Sequence, residues 1–137
     1  MLTTLAPILL QATWETLYMV GVSLFLATAL GLPLGVLLAT SGRGELLEAP
    51  LFQKIIGPIV NATRSVPFII LAVAIIPFTR LIVGTSIGTS AAIVPLTVAA
   101  IPFIARIIEG AIREVLSVLA VLVILAFAMV INGSVLM

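Results

Sequence analysis

RSVPFIILAVAIIPFTR, residues 64–80, is an apolar stretch with an arginine at each end and two prolines, Pro67 and Pro77, inside it. The fifteen residues between the arginines cover about 22 Å as a helix, at roughly 1.5 Å per residue. A bilayer core of about 30 Å asks for about 20 residues. The stretch is therefore an under-length span or the middle of a longer one, and its surroundings decide which.

The 137 residues are 63% hydrophobic and 8% charged, with a mean hydropathy of +1.45. A soluble domain has roughly 45–50% apolar and 25% charged residues. So much apolar surface cannot be hidden from water in a fold of this length, so lipid must be the solvent. The sequence predicts an all-α, polytopic membrane protein forming one membrane domain over residues 1–137.

Composition also excludes functions. A net charge of +1 with six Lys/Arg makes no basic face for nucleic acid. With no Cys and no His there are no disulfides, no thiolate or imidazole metal sites, no Cys nucleophile and no Ser-His-Asp triad. The carboxylates Glu15, Glu45, Glu48, Glu109 and Glu114 form no facing acid/base pair. GTSIGTS (84–90) lacks the lysine and spacing of a phosphate-binding loop. No enzyme activity and no metal are expected. The N-terminus has no basic region before its apolar residues and no small-residue cleavage pattern, so it reads as an interfacial lead-in, with Trp14 as an aromatic anchor.

Four apolar runs follow: about 16–40, 55–79, 91–112 and 115–136. They predict about four membrane helices, several broken by Pro or Gly, which lipid-embedded helices tolerate. Gly42, Gly44 and Pro50 mark a loop after the first run, and Arg43, Glu45 and Glu48 keep it in water. Arg43, Lys54, Arg64, Arg106 and Arg113 fall on one side of this arrangement and Arg80 alone on the other. The positive-inside rule then puts the N-terminus outside and the first loop in the cytoplasm. In this frame Arg64 and Arg80 are anchors whose heads reach the interfaces. The alternative for Arg64 is a buried polar contact inside a bundle.

Three patterns carry functional expectations. Pro95 and Pro102 are seven residues apart and share a helix face, and each deprives a carbonyl four residues back, at Ala91 and Val98, of its amide donor. In lipid those carbonyls need protein or cavity water, so this face, with Thr97, is the candidate substrate pathway, or else a simple kink packed on a neighbour. Ala27, Gly31, Gly35 and Ala39 recur every four residues and let another helix approach closely. Arg106, Glu109, Arg113 and Glu114 form a charged helix end, with Glu109 and Arg113 spaced for an i,i+4 pair. This end is either ordinary solvated helix or a docking surface for a cytoplasmic partner.

The phrases RSVPFIIL, IPFTRLIVGTSIG, AAIVPLTV and PFIAR, with WETLYMVGVSLFLATALGLPLGVLLA (14–39) before them, resemble the membrane-spanning subunit of the bacterial methionine-import ABC transporter. The resemblance covers residues 14–113. It implies a homodimer of permease subunits in the bacterial plasma membrane, two cytoplasmic ATP-binding subunits that bind and hydrolyse the ATP, and an extracytoplasmic methionine-binding lipoprotein. No cofactor of its own is implied. The ATPase-docking E-A-A…G segment and later helices of that superfamily have no counterpart after Glu114. The alternative expectation is therefore a truncated, transport-incompetent remnant or small helix-packing module.

Overall fold

The computed structural model describes residues 1–41 and 50–135, and within them the chain forms five helices and no strand. They are α1 (Leu2–Thr40), α2 (Pro50–Ser65), α3 (Phe68–Ala74), α4 (Ile76–Val83) and α5 (Thr89–Val135). The expected loop at Gly42, Arg43, Gly44, Glu45 and Glu48 lies outside the described residues.

α1 and α5 are the frame. Ser23 reaches the carbonyl of Ile93, Gly31 faces Ile101 and Ile104, and Gly35 faces Ala105 and Ile108. Residue numbers rise together on both helices, so the pair is parallel. A parallel pair obliges the intervening chain to travel back along its whole length, and α2, α3 and α4 make that return. Sequence explains why the return is broken. Pro67 has no N–H and pushes Val66 towards extended backbone, so α2 stops at Ser65 and α3 leaves it at 110°. A second break falls at Ile75, before Pro77 in the first turn of α4. Gly84, with φ +84°, ends α4 in the left-handed conformation, its amide bonding the Arg80 carbonyl at 2.8 Å, which is the usual glycine stop.

The all-α, polytopic, Pro/Gly-broken class is borne out, but the helix count and two boundaries differ from the sequence reading. The described residues hold two helices long and apolar enough to cross a membrane, or three if α2 and α3 form one bent span. The expected third and fourth runs are one helix, α5, of 47 residues. From Arg113 to Val115 there is no Pro, Gly or Asn to turn the chain, so nothing there interrupts the helix. The N-terminal lead-in is likewise helical: α1 begins at Leu2, and the hydroxyls of Thr13 and Thr16 donate to carbonyls four residues back, so these polar residues sit in the helix without breaking it.

The surface is apolar, as lipid solvation requires. Phe25 and Ile69 are each 75% exposed and Val123 is 67% exposed. What is buried is small. Ala27, Leu38, Ala39 and Ala105 are completely covered, and a modest cluster of Leu38, Val60 and Ala105, with Leu34, Phe52 and Ile56 against it, ties α2 to the pair. In lipid there is no hydrophobic drive between helices, so close packing of small residues supplies the attraction.

Glycine substitutions test this frame. A Cβ on Gly35 would lie 2.7 Å from the Ala105 carbonyl oxygen, and on Gly31 3.0 Å from that of Ile101, whereas Gly21 has open space. Gly35→Ala is expected to destabilise the pair by about 1–3 kcal/mol, the usual cost of overpacking. Gly31→Ala should cost less, and Gly21→Ala should stay within about 0.5 kcal/mol. Denaturation by SDS in mixed micelles, followed by helicity, measures all three.

Candidate functional site

Pro95, Thr97 and Pro102 lie on α5 but do not share one environment. Pro102 is buried and Pro95 half-buried. Pro95 lines a cavity of about 410 Å³ with Thr79, Ser86 and Ala91, between the α3–α4 arm and the start of α5. Ala91, whose carbonyl Pro95 deprives of an amide donor, is 3% exposed. Proline and a lined cavity therefore occur together at this end. Thr97 is 8% exposed and its hydroxyl has no hydrogen-bond partner. It stands four residues after Ile93 and four before Ile101, both of which meet α1, so helical spacing puts it on the α1-facing stripe.

The charged end of the third run is brought together, with Glu109 and Arg106 turned inward. Glu109 is only 7% exposed. Its carboxylate accepts from Arg106 three residues before it and forms an ion pair with Arg113, whose Nε lies 3.4 Å away four residues after it. Arg106 Nη2 donates to the Gly57 carbonyl of α2 at 2.8 Å. Arg113 Nη2 reaches the Leu38 carbonyl in the last turn of α1 at 3.4 Å, and Gln53 Nε2 reaches the same oxygen at 3.4 Å. Cations at a helix C-terminus offset its partial negative charge. One buried carboxylate thus organises two guanidinium groups that bind three helices at one level. Glu114 is exposed, and the Arg113 side chain is 42% exposed.

The packing ladder is placed as its spacing implies: Ala27, Gly31, Gly35 and Ala39 are all buried on α1, against α5 of the same chain. Sequence reading missed Ser23, 4% exposed, although it precedes Ala27 by four and extends the ladder by one small residue. It also missed Gln53 and Gly57, whose roles depend on a tertiary contact that no local pattern announces. Of the proposed anchors, Trp14 is 70% exposed. Arg80 is exposed and its Nε donates to Ser86 Oγ at 3.3 Å. Arg64 lies over the Phe103 ring, 5.9 Å from its centroid.

No protein-family model matches the chain. Curated relatives do. The chain is 58% identical over 110 residues to a probable D-methionine transport system permease protein, MetI, of Vibrio cholerae, covering 80% of this chain and 49% of the relative. It is 53% identical over 108 residues to the D-methionine transport system permease protein MetI of Escherichia coli K12, covering 79% and 50%. Among solved structures, it superposes on inward-facing conformations of the MetNI methionine ABC transporter. The TM-score is 0.75 at 54% identity, over 77% of this chain and 49% of that one. A second crystal form gives 0.78 at 51% identity, over 81% and 51%. The resemblance read from the sequence is thus confirmed, and the chain spans about half the length of the relatives it matches.

The ionic cluster yields its own test. Glu109→Gln should destabilise the α1–α2–α5 junction by about 1.5–3 kcal/mol, the range for hydrogen bonds to charged groups. Glu114→Gln, on the exposed side, should stay within about 0.5 kcal/mol. Denaturant midpoints of the two variants in the same micelles decide it.

Proposed function

We propose that this chain is a membrane-spanning subunit of an ABC importer for methionine and related amino acids in the bacterial plasma membrane. Two copies form the translocation pathway, and ATP is bound and hydrolysed on a cytoplasmic partner, so the chain needs no cofactor. A methionine-binding lipoprotein delivers substrate from outside. The observation that carries this reading is the match, in sequence and in backbone, to the MetNI membrane subunit. In this reading the N-terminus is outside, Trp14, Arg64 and Arg80 meet the interfaces, and residues 1–137 act as one permease domain. Pro95, Thr97 and Pro102 belong to the pathway helix. Arg106, Glu109, Arg113 and Glu114 make the end that meets the ATPase, with Arg113 and Glu114 supplying its exposed part.

A second reading, a helix-packing membrane module that does not transport, is favoured by one observation: Arg106 and Glu109 are spent on contacts inside the chain. Coupling requires an element seated in the ATPase, so that nucleotide-driven closure biases one of two membrane states.

Co-expression of the tagged chain with the ATP-binding subunit separates the readings. Retention near one ATPase per chain, with methionine uptake that stops when ATP hydrolysis is blocked, is the expected result. A stably inserted chain that retains no ATPase would establish the module. Orientation is tested separately, since the chain has no native cysteine. Thr3→Cys should react with an impermeant maleimide on intact cells, and Lys54→Cys only after permeabilisation.

A further inference from the structure

Arg64 stands at the last turn of α2, beside the break at Pro67, where the chain turns by 110°. Its exposed guanidinium lies over the Phe103 ring and has no carboxylate partner among the described residues. It borders a cavity of about 580 Å³ whose walls include Thr63, Phe68, Leu71, Leu96 and Phe103. The cavity is an open groove, with Phe68 45% and Phe103 52% exposed, and it pairs apolar walls with a few polar groups, as small-molecule sites do. Phe103 lies about 21 Å along α5 from Thr89 and about one turn before Arg106, at about 1.5 Å per residue. The cavity is therefore within about one turn of the ionic cluster, on its membrane side, and the Arg64 head is exposed there.

The same break supplies the opposite pole. Pro67 has no N–H, so the Thr63 carbonyl lacks its amide donor four residues on, and Thr63 lines the cavity. Carbonyls at a helix C-terminus carry partial negative charge. A cationic side chain, the Thr63 carbonyl and an apolar wall thus meet at one interrupted helix. Interrupted helices present such complementary ends to substrates in other transporter folds.

We propose that this cavity binds a carboxylate bearing an apolar chain, and that its occupant is a zwitterionic amino acid. The carboxylate sits on Arg64, the ammonium on the carbonyl end of α2, and the side chain along Phe68, Leu71, Leu96 and Phe103. This deepens the importer reading and rests on it for the identity of the occupant. A membrane lipid shares the anionic, apolar chemistry and is the competing source.

The test measures binding, not uptake, so it does not depend on whether the chain transports. The full chain is placed in nanodiscs of neutral phosphatidylcholine and titrated with radiolabelled L-methionine. Methioninol, which lacks the carboxylate, is the competitor. Expected are saturable methionine binding, at least tenfold weaker competition by methioninol than by unlabelled methionine, and at least tenfold weaker methionine binding in Arg64→Gln. Arg64→Lys should fall between. Equal competition by methioninol on the unaltered chain would overturn the proposal without reference to any variant's folding. So would absence of methionine binding. If phosphatidylglycerol abolishes methionine binding and co-purifies with the chain only when Arg64 is present, the cavity is a lipid site and the amino-acid assignment falls. Failure of ATPase retention with methionine binding intact would instead count against the importer reading and leave the site standing.

Discussion

The structure depends on how closely α1 and α5 approach. At Gly35 there is no room for even one methyl group, because the Ala105 carbonyl oxygen occupies the position beside it. Helix backbones brought this near gain dispersion along their whole contact, and in lipid that packing replaces the hydrophobic effect as the source of association. Everything else is arranged around the pair. Its parallel sense forces the chain to return between the two helices. The return is short of length and interrupted at Pro67 and Ile75, and the interruptions create the cavities beside α5. The Glu109 cluster then closes one end by joining α5 to the last turn of α1 and to α2.

Apolar and polar contributions are divided by position. Along the pair the buried side chains are small and the contact is steric. At the Glu109 end, burial of a carboxylate is tolerable because two guanidinium groups accompany it. A lone buried ion would be strongly disfavoured, whereas a paired and hydrogen-bonded one is retained at modest net cost and fixes a specific arrangement of helices. The break at Pro67 is a third type of feature. It leaves Arg64 facing apolar side chains and a ring face, without an acid opposite it among the described residues.

Much of this was legible in the residues themselves. Four small residues at a spacing of four on α1 announced a close helix contact, and Pro67 announced a break inside the second run. The partner of the ladder was not legible, because a small-residue stripe fits any helix with a matching groove, and only the fold brings residues 101–108 to it. The size of the bend was equally hidden, since proline removes a hydrogen bond without dictating an angle. The separation of the last two runs was overread. A charged interval between apolar segments resembles a loop, yet Arg113 and Glu114 are sound helix formers and the helix passes through them. The charged end itself was visible as a group, but its inward turn depends on Gly57 and Leu38 offering carbonyls from elsewhere in the chain.

The separation between partners has a consequence for biosynthesis. Ser23 and Ile93 are 70 positions apart, so the groove of α1 is made long before the helix that fills it. At synthesis rates of about 5–20 residues per second, α1 waits on the order of 4–14 seconds with its glycine face open. During that interval the groove is free to receive any small-faced helix that diffuses past in the bilayer. Fidelity of assembly is therefore set by kinetics as well as by fit: the cognate helix arrives late, and its advantage is that it is tethered.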